Sequence, residues 1–270
     1  MFGRTAILGF AFWLGILPFS LAEDKASRDW QVWETQIQPV SESFSGLDEI
    51  QLILTVKNIG KEPRLIAIPY LETHDWPQWV QVFKDGKRVQ PKVDEDYVYP
   101  PGTLRPGEKL SLLVSLDKFY VAPLKGSQKG RYELLWKGTT IGLAQDARSE
   151  FVVDPKMKAS TDIFSMAPYL EAHKTKEDLW KKILAAPSDP KWLGLFRIIP
   201  AESIDAPSLV KLAEVTDDLG IKREAVQALG RIGKNPEAEK LLVEFLKQQD
   251  DHPLVELGVL SLKKLRGQSP

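Results

Sequence analysis

Residues 223–233 read Arg223-Glu224-Ala225-Val226-Gln227-Ala228-Leu229-Gly230-Arg231-Ile232-Gly233. Ala225, Ala228, Leu229 and Ile232 recur at the three- and four-residue spacing that puts side chains on one side of a helix. Gly233 ends the run, because the left-handed turn that closes a helix favours a residue without a Cβ. Asn235-Pro236 opens the next helix. The asparagine side chain takes a free amide of the first turn, and proline sits where its missing N–H needs no partner. Leu241, Leu242, Phe245 and Leu246 then form a second apolar stripe.

Outward from this stretch the pattern repeats. Leu209-Val210 corresponds to Leu242-Val243, Asp217-Asp218 to Asp250-Asp251, and Leu229 to Leu262, at an offset of 33 residues throughout. A fixed period of this length signals stacked helical hairpins, none of which can bury its apolar face alone. Small residues hold equivalent places, Ala225 with Gly258 and Ala228 with Ser261, as expected where helices approach closely. An earlier pair, near Lys176–Ala186 and Ser188–Ile199, reads as a degenerate first unit.

The run 223–233, continued by Pro236-Glu237-Ala238 and Leu241 to Leu246, resembles the HEAT-like repeat first described in phycobilisome lyases. The second copy departs from that pattern, with Leu257-Gly258 and Lys263-Lys264 where Ala and Gly are usual, as a terminal cap would. The resemblance implies geometry, a curved stack whose face can hold a partner; it implies no activity.

Before Asp154 the apolar period is two. Ile50, Leu52, Leu54 and Val56 alternate with Gln51, Thr55 and Lys57; Leu110, Leu112, Val114 and Leu116 alternate with Ser111 and Ser115; Tyr132, Leu134 and Trp136 alternate with Arg131, Glu133 and Lys137. Each pattern predicts a strand with one face in a core and the other in water. Asp85-Gly86, between Val80–Phe83 and Lys87–Val89, predicts a two-residue hairpin turn, and Pro100-Pro101-Gly102 and Pro106-Gly107 mark further turns. The spacing of seven or eight short strands predicts a β-sandwich. The segments Leu54–Gly60, Leu104–Glu108 and Gly130-Arg131-Tyr132 resemble the immunoglobulin-like modules of secreted bacterial proteins. That resemblance implies an antiparallel Ig-like fold, and for Tyr132 the structural role of a tyrosine corner.

The expected architecture is therefore two-domain, β then α. Residues 1–22 read as a signal peptide, 23–155 as the Ig-like β-sandwich, 156–175 as a linker, and 176–270 as an α-solenoid of HEAT-like hairpins. The signal rests on Arg4, the apolar run Ala6 to Phe19, and Ser20-Leu21-Ala22 ahead of Glu23-Asp24. The run is shorter than the roughly 20 residues that span a bilayer, which favours cleavage over a retained anchor. The expected location is extracytoplasmic, periplasmic or secreted, with no stable membrane insertion after cleavage. The chain has no cysteine, which excludes disulfides, thiol nucleophiles and cysteine-ligated metals. A net charge of -1 lacks the basic surplus that binds phosphate backbones, so no nucleic-acid partner is expected.

Motifs with their own chemistry are scarce. His74, flanked by Glu72 and Asp75, has no second histidine nearby; His252 precedes Pro253 at a helix start; His173 lies in a charged linker. Asp94-Glu95-Asp96 lacks the glycine turn and distal glutamate of a calcium loop. No phosphate loop, nucleophile elbow or H-E-x-x-H motif occurs. No catalytic residue, cofactor or metal is therefore assigned. Trp76, Trp79, Tyr97 and Tyr99 place four rings in turn-rich segments, where rings serve as binding anchors or cover the end of a sandwich. The basic pairs Lys181-Lys182, Lys222-Arg223 and Lys263-Lys264 are expected on solvated helix faces. These readings converge on a non-enzymatic binding protein with a protein partner, using the helical stack as its surface. The alternatives are a glycan or cell-wall binding module working through the loop aromatics, and a divergent hydrolase built around His74.

Overall fold

The computed structural model describes residues 32–45, 50–66, 80–90, 102–116, 129–137, 146–154, 156 and 176–268. The expected signal and most of the expected linker lie outside these residues. The described chain is β-rich first and helical afterwards.

Strands are β1 (Trp33–Pro39), β2 (Ser43–Phe44), β3 (Gln51–Asn58), β4 (Arg64–Ile66), β5 (Val80–Lys84), β6 (Lys87–Arg88), β7 (Gly102–Leu104), β8 (Lys109–Ser115), β9 (Gly130–Trp136) and β10 (Ala147–Val153). One sheet has the order β1-β3-β8, the other β2-β10-β9-β5-β6, and β4 pairs with β7. Neighbours run antiparallel except β2 and β10, which are parallel. The expected hairpin joins β5 to β6, with Asp85 and Gly86 both at positive φ, 51° and 73°. Both central residues of a type I′ turn take this conformation.

The alternating apolar residues are buried in a shared core. Ile50 and, in the first sheet, Leu52, Leu54 and Val56 are buried, as are Tyr132, Leu134 and Trp136 of the second. Strand β1 lies against β10. Tyr132 stacks on Phe151 at 5.2 Å, and Phe44 meets Phe151 edge-on at 5.5 Å.

The helices are α1 (Lys176–Ala185), α2 (Trp192–Ile198), α3 (Ala206–Val215), α4 (Leu219–Leu229), α5 (Pro236–Leu246) and α6 (His252–Leu265). Their starts are built alike. Asp205, Asp218, Asn235 and Asp251 each have extended backbone, and each side chain accepts an amide of the first turn that follows. Gly233 has φ 78°, as the end of its helix requires. Helix α3 packs on α1 and α5, while α4 packs on α2 and α6, so these helices form two layers. The first pair is tied by Trp180, which stacks on Phe196, and by Trp192, whose indole N–H donates to the Ala186 carbonyl at 2.8 Å. Among the described residues no helix is long and apolar enough to cross a membrane.

Alternation predicts solvent for Thr55 and Ser111, and here the structure differs. Thr55 is 9% exposed and Ser111 is 1% exposed, and their hydroxyls hydrogen-bond each other at 3.0 Å. The reason is tertiary. Helices α2 and α4 lie against β8, covering that side of the sheet, while Glu34, Gln36 and Gln38 of the far strand β1 stay exposed on the same face. The buried apolar residues of strands and helices join into one contiguous cluster.

Candidate functional site

Two features set the surface of the helical half: the seam it shares with β8, and a groove beside that seam. At the seam, β8 is a sheet edge, and an open edge exposes unpaired amides and carbonyls. The helical half takes them up. Lys109 N–H donates to the Asp217 carbonyl at 2.9 Å, Ser111 N–H donates to Asp218 Oδ1 at 3.0 Å, and Arg197 Nη1 donates to the Leu113 carbonyl at 3.3 Å. Asp218 Oδ1 also accepts from the amides of Gly220 and Ile221, so one carboxylate caps α4 and closes the strand edge. Its second oxygen faces the Lys109 ammonium at 3.9 Å. Burial pushes the Asp218 carboxyl above its ordinary value, opposed by the hydrogen bonds from Ser111 and by the charge of Lys109. Gly220 is required here, because a Cβ would overlap the carbonyl oxygen of Ser111.

The 33-residue offset equates Asp218 with Asp251, and both are buried N-caps. Asp218 serves the sheet, whereas Asp251 accepts from Arg223 of α4 at 3.0 Å. Arg223 is 2% exposed, which corrects the solvated face expected for Lys222-Arg223. Helix α4 is enclosed by β8, β7 and α6, so an arginine on its first turns is buried and needs a carboxylate beside it. Gly102 of β7 completes the fit: a Cβ there would stand 2.6 Å from Leu219 and 2.9 Å from Arg223. Two ion pairs close the rim, Arg105 with Asp250 at 2.8 Å and Lys222 with Glu108 at 3.7 Å.

The groove, about 360 Å³, opens on the layer formed by α2, α4 and α6. Phe196 and Arg197 of α2, Glu224, Gln227 and Ala228 of α4, Arg231 just after it, and Leu257, Leu260, Ser261 and Lys264 of α6 line it. Eight of these residues are four pairs at the 33-residue offset: 224 with 257, 227 with 260, 228 with 261, 231 with 264. Spacings of three and four put each set on one helix face. The groove is thus the face shared by α6 and by α4 with the turn that follows it, floored by the buried small residues Ala228 and Ser261. Arg231 donates to the carbonyls of Phe196 and Arg197, tying the end of α2 to the end of α4. Burial holds its guanidinium below the usual arginine value, countered by the nearby Glu224 carboxylate. Arg197 Nε donates to Glu224 Oε1 at 2.7 Å. Three cations stand against one anion, in a chain whose net charge is -1. Beside them Leu260 is 43% exposed. Such a lining offers donors for an anion and methyl groups for an apolar side chain.

Trp76, Trp79, Tyr97 and Tyr99 lie outside the described residues, as do His74, His173 and Asp94-Glu95-Asp96. His252 opens α6 and is exposed, with Nδ1 3.4 Å from Glu256. Among the described residues no group of His, Asp and Glu is arranged to hold a metal. Lys181, Lys182, Lys263 and Lys264 are exposed on their helices. The groove itself was missed in the sequence, although the offset that builds it was visible.

No protein-family model matches the chain, and no curated protein matches it. Among solved structures, a CARDB domain from Pyrococcus furiosus is similar to the β part. It is 14% identical, with a TM-score of 0.27, covering 46% of this chain and 96% of that one. A β-glucosidase from Listeria innocua, in complex with isofagomine, is 13% identical, with a TM-score of 0.26 over 45% of this chain. A polysaccharide lyase is 12% identical, with a TM-score of 0.20 over 91% of this chain. This chain spans 16% of the glucosidase and 36% of the lyase. At these TM-scores the likenesses carry no argument about activity.

Proposed function

We propose that this chain is an exported, non-enzymatic interaction protein in which an Ig-like β-sandwich carries a short HEAT-like stack, and that the stack is its partner-binding surface. Two sheets whose buried residues share one core support the sandwich. Three helical hairpins among the described residues lie in two layers, the last two with residues paired at the 33-residue offset, and they support the stack. The sandwich acts as scaffold, since the seam at β8 holds the helices in one orientation.

The observation that carries the binding reading is the groove across α2, α4 and α6, where positive charge adjoins exposed apolar side chains. Large apolar groups at the surface accumulate where another molecule covers them. Ile198, Val259 and Leu260 are all more than 40% exposed on helices of that layer. Recognition there works by shape and charge complementarity, with no covalent step.

Deleting the helical half would be a poor test, because it would strip the partners from the β8 edge. Site-specific photo-crosslinking in the full chain avoids this. A photoreactive residue is placed at Gln227 or Val259 on the helices, and at Gln36 or Arg148 on the sheets, in cells that export the protein. Adducts with a protein partner are expected at the helical positions. Adducts confined to the sheet positions would move the activity to the sandwich, and a protein retained in the cytoplasm would overturn the exported role.

A further inference from the structure

The geometry points to an acidic segment of another protein as the occupant of the groove between α4 and α6, one that seats a carboxylate between Arg231 and Lys264 and a neighbouring apolar side chain on Leu257 and Leu260. This rests on the interaction reading above and names the chemistry of its partner.

Charge complementarity selects the occupant. Positions 231 and 264 are equivalent in the two repeats and both are cationic, so each repeat contributes one positive charge to the groove. Arg231 is held by the carbonyls of Phe196 and Arg197, which fixes its guanidinium before any ligand arrives. A donor fixed in advance loses little entropy on binding. Burial around it disfavours the charged guanidinium and Glu224 offsets this only in part, so an arriving anion is favoured there. Lys264 stands exposed at the opposite wall, a mobile ammonium that can close on the same carboxylate.

The apolar half of the lining sets the rest. In the first repeat positions 224 and 227 are Glu and Gln; in the second, 257 and 260 are both Leu. One wall is therefore polar and the other apolar. Glu224 is engaged by Arg197 and repels a second carboxylate on its side. A ligand must then place its acid near the C-terminal ends of the helices and its apolar group along α6. A volume of about 360 Å³ holds a few side chains of a bound segment, not a folded domain. A basic segment would meet Arg197, Arg231 and Lys264 with like charge.

The test uses the full exported chain and three fluorescent peptides of equal length, in which Leu alternates with Glu, with Gln or with Lys. Fluorescence anisotropy is expected to show binding of the Glu–Leu peptide, weakening with added salt, and none of the Lys–Leu peptide. Lys264→Glu and Gln227→Glu are exposed changes that should leave helical circular dichroism intact. Lys264→Glu should weaken the Glu–Leu peptide by roughly tenfold, as replacing one charge-assisted contact by a repulsion would, and Gln227→Glu should weaken it in the same direction through the negative charge it adds to the groove. Leu260→Gln should weaken the Glu–Leu and Gln–Leu peptides alike.

Equal binding of all three peptides, or indifference to the variants, would overturn the inference. So would self-association of the chain that Leu260→Gln abolishes, which would assign the groove to a second copy. These failures are separable from failure of the broader reading: crosslinks at Gln227 and Val259 without peptide selectivity would leave the helical surface in place and remove only its acidic ligand.

Discussion

Asp218 and Ser111, 107 residues apart in the chain, are joined by a hydrogen bond of 3.0 Å from the Ser111 amide to the Asp218 carboxylate. The same oxygen caps α4. The start of a helix and the edge of a sheet are thus satisfied by one buried side chain, and the two halves are coupled at that point.

This coupling makes stability depend on pH in a definite sense. Burial raises the folded-state pKa of Asp218 above its unfolded value. A group shifted this way contributes stability that is full below the ordinary carboxylate range and is lost as pH rises through the raised value. Asp218→Asn keeps an acceptor oxygen for the three amides and removes the titration. We expect denaturant midpoints of the wild type to fall relative to Asp218→Asn as pH rises from acid to neutral. Parallel pH profiles for the two proteins would contradict the assignment.

Gly220 allows the approach that this bond needs. Gly220→Ala sets a methyl group against the Ser111 carbonyl oxygen, with backbone on both sides. A loss of about 1–3 kcal/mol is expected, as for other overpacked contacts. Amide hydrogen exchange should show faster exchange at Lys109 and Ser111, whose amides face the seam. Unchanged exchange there would mean that the halves do not depend on this contact.

Arg223 and Asp251 form a pair almost closed to water, with side chains 3% and 9% exposed. Arg223→Ala leaves a buried carboxylate without its cation, which costs about 3–5 kcal/mol in comparable sites. Arg223→Met combined with Asp251→Asn removes both charges and keeps the cap of α6. Chemical denaturation should find the double variant more stable than Arg223→Ala. If the effects of Arg223→Met and Asp251→Asn, each made alone, simply add in the double variant, the two residues are not an energetic unit.

Asn235 caps α5 by accepting the Ala238 amide at 2.9 Å. Asn235→Ala should cost about 1 kcal/mol, and Asn235→Asp much less, since aspartate caps equally well. Thermal unfolding of the three proteins would resolve the difference, and equal midpoints would show that the cap carries no weight.

Much of this was legible in local sequence. Asn235-Pro236, Gly233 and Asp85-Gly86 act through their own backbone and near neighbours, so their roles follow from covalent geometry and nearest hydrogen bonds. The alternation of Ile50, Leu52, Leu54 and Val56 identified a strand and its inner face, and the three- and four-residue spacing of 223–233 identified a helix. The offset of 33 residues pairs Asp218 with Asp251 in the sequence itself.

Thr55, Ser111 and Arg223 were not legible. Each has a side chain that water or a protein partner can satisfy equally well, so composition does not reveal which one it meets. Local periodicity determined, in sequence alone, a β part followed by paired helices. Only the tertiary structure decided that α2 and α4 cover the β8 edge, that Arg223 must meet Asp251, and that residues 224–231 and 257–264 line one groove. The physical reason is range: backbone preference acts over a few residues, whereas the closing of a strand edge depends on which distant segment arrives to bond it.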